Sequence, residues 1–455
     1  MRRGVPTAAL AAGTAIATLV LVVAMVLAYA RTSAPRSPAP AGRVASRTGP
    51  AAGPVLAPES AGARQPTPAA LARLLAGPLR DQRLGRQVTY SVVDASTGHS
   101  LAGHDAATPA TPASVTKLTT AAAVLTRPGP AARITTRVVA GALAGDVVLL
   151  GAGDPTLSVG GTQAYPGAAR LDLLATAVRR AMRGPVHRLL LDTSAYLGPA
   201  TAPGWDSDLV SSGNVAPITA LMVDGGRVDP TRRARSATPD LAAARAFAHA
   251  LGLPAGAVIR GRAPTRAREL ARVTSTPIAT LVEQMLENSD NVLAEALARQ
   301  VAISRHQPAS FAGAVAAVRT TLSEIGAPTT GLRLFDASGL SRQDLLPPQL
   351  LTTLLSRAAG QPQLRSLLTS LPVAGFTGTL LQRFRVGASR PGAGEVRAKT
   401  GTLSGVSALA GVVSDRDGRL LAFAVLADRV PAGGTLAAES ALDDVAATLS
   451  QCGCR

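Results

Sequence analysis

The chain has 455 residues, of which 47% are hydrophobic, 16% charged and 2% aromatic. That length allows two or three domains and the apolar fraction supports a sizeable core, so disorder throughout is excluded. One Trp, four Tyr and six Phe are too few for a platform that stacks single-stranded bases, and a ring-lined carbohydrate site is disfavoured on the same ground.

The net charge is +18, and the first 70 residues carry seven Arg against one acid, Glu59, so the body is basic as well. Such a charge suits nucleic acid, phospholipid headgroups or a polyanionic cell wall and does not choose between them. Of the 46 basic residues, 44 are Arg and two are Lys, at 117 and 399. An ammonium can lose its proton and act as a base, which a guanidinium in a protein cannot, so each Lys asks for its own explanation.

After Arg2 and Arg3, residues 8 to 30 run for 23 positions without a charge. This is the length of one bilayer crossing, and residues 1–30 read as a signal anchor with a cytoplasmic start and an extracytoplasmic body. Ala28-Tyr29-Ala30 also fits a small-x-small cleavage site, and cleavage there would leave a secreted protein. Residues 31–70, rich in Ala, Pro, Gly and Ser with no apolar period, read as a tether.

Farther along, Val88 to Asp94 and Ser100 to His104 predict a hairpin around Ser96-Thr97-Gly98. Thr111 is a candidate N-cap with Pro112 at the first helical position, and the apolar run to Leu125 predicts a buried helix. Residues 134–265 alternate short β-like runs (Val147 to Leu150, Val186 to Leu191) with helix-like ones (Leu171 to Met182, Leu241 to Leu251), as expected of an inserted domain. Helical patterns at Pro277 to Leu286 and Val292 to Val301 flank a short connection holding Ser289-Asp290-Asn291. Glu395 to Thr402, Ser407 to Ser414 and Arg419 to Ala427 predict an antiparallel meander. The chain closes on Cys452-Gly453-Cys454, from which a local disulfide, a free pair and a contact to a partner are all open. The five His form no metal spacing, so no metal site and no cofactor are expected.

Ser114 and Lys117 lie three residues apart in the first turn of a helix, which stacks hydroxyl on amine. Burial among apolar residues and the positive helix end both disfavour the ammonium, so Lys117 can take the Ser114 proton. The Ser114 N–H lies where helical N–H groups lack internal partners and can donate to an oxyanion. Lys399 opens Lys399-Thr400-Gly401-Thr402 on a predicted strand, offering a positive charge to a substrate carboxylate, and Gly401 clears room for a ligand backbone. Ser289 supplies a hydroxyl able to pass a proton, and Asn291 an amide suited to a substrate carbonyl. Each motif alone is weak: a helix-surface pair, a capping loop, a strand end. Their weight comes from the only two lysines falling in two of the three.

The Ser-x-x-Lys, Ser-Asp-Asn, Lys-Thr-Gly triple resembles that of β-lactamases and penicillin-binding proteins. The long stretch between the first two motifs is similar to the low-molecular-mass class C penicillin-binding proteins, the D-alanyl-D-alanine carboxypeptidase/endopeptidases. Gly151 to Leu157, Asp336 to Ser341, Leu371 to Gly375 and Gly378 to Leu380 look like that family's recurring stretches. The resemblance covers about 80 to 450. It implies an α/β (α+β) penicillin-binding/β-lactamase-like fold, an antiparallel sheet flanked by helices, with a catalytic domain of 71–133 and 266–450, an inserted region of 134–265 and a Cys-Gly-Cys tail at 451–455. It implies Ser114 as nucleophile, Lys117 as base, Ser289 as proton relay and Asn291 on the acyl side. Lys399, Thr400, Gly401 and Thr402 would bind the terminal carboxylate, and the N–H groups of Ser114 and Thr402 would form the oxyanion hole. The implied partners are peptidoglycan stem peptides ending in D-Ala-D-Ala, β-lactams as covalent inhibitors and the membrane, with no nucleic acid.

Two rivals share the pocket. A class A β-lactamase would need an acid for its deacylating water, and Glu324-Ile325-Gly326-Ala327 lacks that family's Glu-x-x-Asn; a non-catalytic cell-wall or β-lactam sensor would not need Ser114 and Lys117 intact. A Ser-His-Asp hydrolase lacks its Gly-x-Ser-x-Gly elbow, and Ala398 removes the Gly that a Walker loop needs before its Lys. The arginines at 260, 262, 266, 268 and 272 read as solvated surface rather than a site.

Overall fold

The computed structural model describes residues 63–453. The apolar stretch at 8–30 lies outside them, and no helix among the described residues is long and apolar enough to cross a membrane.

Among the described residues, ten strands form two five-stranded sheets. β1 (Val88–Asp94) and β2 (Ser100–His104) make the leading hairpin, while β3 (Thr135–Ala140), β4 (Asp146–Leu150), β5 (Arg188–Asp192), β6 (Val258–Arg260) and β7 (Glu269–Thr274) belong to the second sheet. β8 (Val396–Leu403), β9 (Val406–Ser414) and β10 (Leu420–Ala427) complete the first, in the order β2-β1-β10-β9-β8 and antiparallel throughout. The meander thus ends on β8 at the sheet edge, where the Lys399 strand can be approached from one side.

Period-two alternation decides what each face of this sheet covers. Ala422, Ala424 and Leu426 of β10, with Ala408, Ala410 and Val412 of β9, face a core built on the helix Lys117–Thr126 and the helices Ile278–Glu287, Asn291–Ser304 and Pro348–Gly360. Leu421, Phe423 and Val425, with Leu409 and Val413, face the C-terminal helix Thr435–Ser450. The sheet is therefore the middle of three layers. Lys117–Thr126 is buried at its first nine positions, so its Ala, Leu and Val pack on all sides and Thr119 and Thr120 turn their hydroxyls to the carbonyls of Thr116 and Ala337.

The second sheet runs β6-β5-β4-β3-β7, with β4, β5 and β6 parallel to one another. It packs the helices Leu171–Ala181 and Pro239–Leu251 into a core of its own. The stretch between β5 and Pro239 holds little regular structure. Its Ala202, Leu209, Val215 and Met222 share a buried cluster with Val292, Phe311 and Leu340.

One local expectation needs correcting. Ser114 sits not in an α-helix but in a 3₁₀ turn, Ala113–Thr116, with the α-helix beginning at Lys117. Ala113 has a φ of 48°, which lifts the turn out of helical register, and its carbonyl accepts the Thr116 hydroxyl at 2.9 Å. Gly339 makes room for that carbonyl: a Cβ there would stand 1.9 Å from Ala113 O. In a 3₁₀ turn residues i and i+3 eclipse, so Ser114 and Lys117 are aligned more directly than an α-turn would place them.

Candidate active site

Lys117 is fully buried, and its Nζ donates to three oxygens: Ser114 Oγ at 2.9 Å, Asn291 Oδ1 at 2.7 Å and Ser338 O at 2.7 Å. Three segments distant in sequence thus meet on one nitrogen. Burial pulls its pKa down to about 8, against the upward pull of Asp336, Asp290 and Glu295. A substantial neutral fraction near neutrality is what a base for the Ser114 hydroxyl needs.

The Ser-Asp-Asn connection joins the helices Ile278–Glu287 and Asn291–Ser304. Asp290 caps the second helix, its Oδ1 accepting Leu293 N–H at 2.9 Å, and Ser289 takes a φ of 56° just before it. This bend directs Ser289 toward β8, where Lys399 Nζ donates to its Oγ at 2.8 Å. Lys399 also donates to Thr400 O at 2.8 Å. Burial, Lys117 and Arg383 hold the Lys399 amine well below its ordinary pKa. These surroundings work against the positive charge expected of Lys399.

Gly401 serves the chain before it serves a ligand. A Cβ at this position would lie 2.6 Å from Pro112 O and 3.3 Å from Val115 Cγ1, so glycine lets β8 approach the Ser114 turn. The Thr400 and Thr402 hydroxyls have partners already: Thr400 Oγ1 and Thr379 Oγ1 are 3.0 Å apart, and Thr402 Oγ1 donates to Glu439 Oε1 at 2.7 Å. The predicted residues thus fall into a Ser114–Lys117–Asn291 group, a Ser289–Lys399 pair and the β8 edge with Gly401 and Thr402.

Other participants were not singled out by sequence reasoning. Asp336 gathers the Ser338, Gly339 and Ser341 N–H groups at 3.0, 2.6 and 2.7 Å and so shapes the loop that offers Ser338 O to Lys117. Glu295 accepts Ala337 N–H at 2.9 Å, and burial together with Asp336 raises its pKa to about 7. The signal for this loop was in the family-like Asp336 to Ser341 stretch, which carried no role. Among the described residues no group of three or more His, Cys, Asp and Glu could hold a metal ion.

A family model for the D-Ala-D-Ala carboxypeptidase 3 (S13) family matches residues 71–236 and 230–449. A carboxypeptidase of Mycobacterium tuberculosis is 43% identical over 409 residues, covering 88% of this chain and 87% of that protein. The carboxypeptidase DacB of Mycolicibacterium smegmatis is 44% identical over 411 residues, covering 88% of each. In fold, the crystal structure of penicillin binding protein 4 from Haemophilus influenzae is similar, with a TM-score of 0.69 at 22% identity over 82% of this chain and 97% of that one. With the family match running through all three motifs and both mycobacterial relatives matched over nearly their whole length, the chain belongs to the D-Ala-D-Ala carboxypeptidase 3 (S13) family.

Proposed function

We propose that Ser114 is the nucleophile through which this serine D-Ala-D-Ala carboxypeptidase trims peptidoglycan stem peptides and through which penicillins acylate it. The observation that carries the reading is the buried Lys117 Nζ, 2.9 Å from Ser114 Oγ. Neutral Lys117 takes the hydroxyl proton as Ser114 Oγ attacks the carbonyl between the last two D-alanines. The oxyanion is held by the N–H groups of Ser114 and Thr402. When the C–N bond breaks, the proton that Lys117 took from Ser114 goes to the departing D-alanine amine through the Ser289 hydroxyl, which receives one proton as it donates another, and Lys399, the hydrogen-bond partner of Ser289, binds the terminal carboxylate. Asn291 holds the acyl side, and water hydrolyses the Ser114 ester.

Two finer elements belong to this proposal. The same acyl-enzyme cuts cross-links when the leaving amine belongs to a second stem peptide. Residues 8–30 hold the body outside the cytoplasmic membrane, a reading supported by their length without charge; N-terminal sequencing of the membrane fraction tests whether they are retained.

The principal test is intact mass spectrometry of the protein mixed with a penicillin, with the adduct mapped by digestion, followed by assay of D-alanine release. A lasting adduct on Ser114 with D-alanine release is expected. An adduct that vanishes within seconds while drug is consumed would replace this reading with a β-lactamase, and no adduct at all with a sensor.

A further inference from the structure

We propose that the inserted segment, 134–265, is a positioning element for acylation, without which the base and its partners are not held in register. The inference rests on the Ser114–Lys117 reading above. The segment reaches the site at three separate points. Trp205 Nε1–H donates to Asp336 Oδ2 at 2.7 Å, Asn214 O accepts Asn291 Nδ2–H at 2.9 Å, and Tyr165 O–H donates to Asp290 Oδ2 at 2.8 Å.

Each contact settles something the catalytic part leaves open. The two ends of the Asn291 amide exchange by rotation about one bond, but a backbone carbonyl can only accept. Asn214 O therefore holds the Nδ2 end and leaves Oδ1 for Lys117. An indole nitrogen can only donate, and Trp205 supplies Asp336 with a side-chain donor beside the three backbone N–H groups that shape the Ser338 loop. Tyr165 and Asp290 are 4% and 8% exposed, and Arg227 Nη1 donates to the Tyr165 hydroxyl at 3.2 Å. The other Asp290 oxygen caps the helix that begins at Asn291, so Tyr165 steadies the Ser289–Asn291 bend from outside the catalytic part. Two of the three partners of Lys117, Asn291 Oδ1 and Ser338 O, are thereby oriented by the inserted segment. The buried cluster of Ala202, Leu209, Val215 and Met222 with Val292, Phe311 and Leu340 seats it against the same elements.

The test uses the full chain with Trp205→Phe, Trp205→His and Tyr165→Phe, following acylation by a chromogenic cephalosporin under pre-steady-state conditions so that the acylation rate constant and the binding constant separate. Phe keeps the ring that packs edge-on against Phe311 at 5.4 Å but removes the donor; His restores an N–H donor. In both Phe variants the acylation rate constant is expected to fall about tenfold with binding changed less than about twofold, and Trp205→His is expected to recover part of the loss. Unchanged acylation rate constants would overturn the proposal. So would an effect on binding alone, which would make the segment a substrate-capture module, or a loss that merely tracks unfolding and is not recovered by His. A wild-type protein that carries no adduct on Ser114 would instead strike the reading on which the proposal rests.

Discussion

Lys117 Nζ lies 2.7 Å from Asn291 Oδ1, across 174 residues of sequence. The amide oxygen accepts a hydrogen bond from the amine whether the amine is charged or neutral, whereas Ser114 can be deprotonated only by the neutral form. With burial holding Lys117 at about 8, the acylation rate is expected to rise with pH up to that value and level off above it. The sign follows from the role: below its pKa the base is already protonated. Lys117→Arg keeps the charge but cannot lose its proton, and acylation is expected to drop by roughly a thousandfold or more. Adduct formation measured from pH 6 to 10 checks both, and a flat profile would remove Lys117 as the base.

Gly401→Ala should damage the site through the backbone. A Cβ 2.6 Å from Pro112 O must push β8 away from the turn that carries Ser114, separating the Ser114 and Thr402 N–H groups proposed to hold the oxyanion. Acylation is expected to fall roughly a hundredfold, with the Tm lowered as well. If Ala is tolerated with full activity, the approach of strand and turn does not matter for catalysis.

These contacts mark how much could be read in advance. The hairpin and the meander were legible because β-rich runs stand between turn residues, and no end of the observed strands differs from expectation by more than one residue. That Ser114, Lys117 and Asn291 meet, and Ser289 and Lys399 beside them, was legible because the chain's two lysines both fall in motifs and a Ser-Asp-Asn stretch lies between them. The 3₁₀ turn was not: Thr111-Pro112 imitates a helix start, and the conformation of Ala113 depends on the room left by Gly339, 226 residues away. Nor were the Trp205–Asp336 and Asn214–Asn291 contacts, because loop residues without periodicity carry no sign of the partner they will meet.

Glu439 brings a carboxylate to the β8 edge proposed to bind the substrate's own, through the 2.7 Å bond from Thr402 Oγ1. Like charges at an exposed edge interact weakly and are screened by salt. Glu439→Gln keeps an acceptor for Thr402 while removing the charge. The KM for a peptide ending in D-Ala-D-Ala is expected to fall about two- to fivefold at low ionic strength, with the difference shrinking as salt is added. Assay of D-alanine release at two salt concentrations is sufficient. A KM that rises would show that Glu439 helps to hold the substrate.

Asp344 offers a test in stability rather than rate. Burial and the neighbouring Asp336 raise its pKa to about 10 from the ordinary 3.8, so the folded protein keeps a proton that the unfolded chain releases above about pH 4. For a group raised in this way the contribution to stability is whole at low pH and is lost progressively as pH climbs toward 10. Glu295, raised to about 7, acts in the same direction between about pH 4.5 and 7. Lys117, lowered to about 8, acts in the opposite direction and only above that value. Between pH 5 and 7.5 Asp344 and Glu295 each contribute a fall in Tm, which the lowered Lys399 opposes. Asp344→Asn replaces a protonated carboxyl by a neutral amide of the same shape, whose N–H can face Asp336 as the carboxyl O–H does. It is expected to raise the Tm at pH 7.5 by roughly 2–4 °C, with a smaller gain at pH 5. Calorimetry at the two pH values decides it: an equal loss at both would mean that Asp344 is ionised in the folded protein, and that the acids beneath the Ser338 loop are held apart by charge rather than by a shared proton.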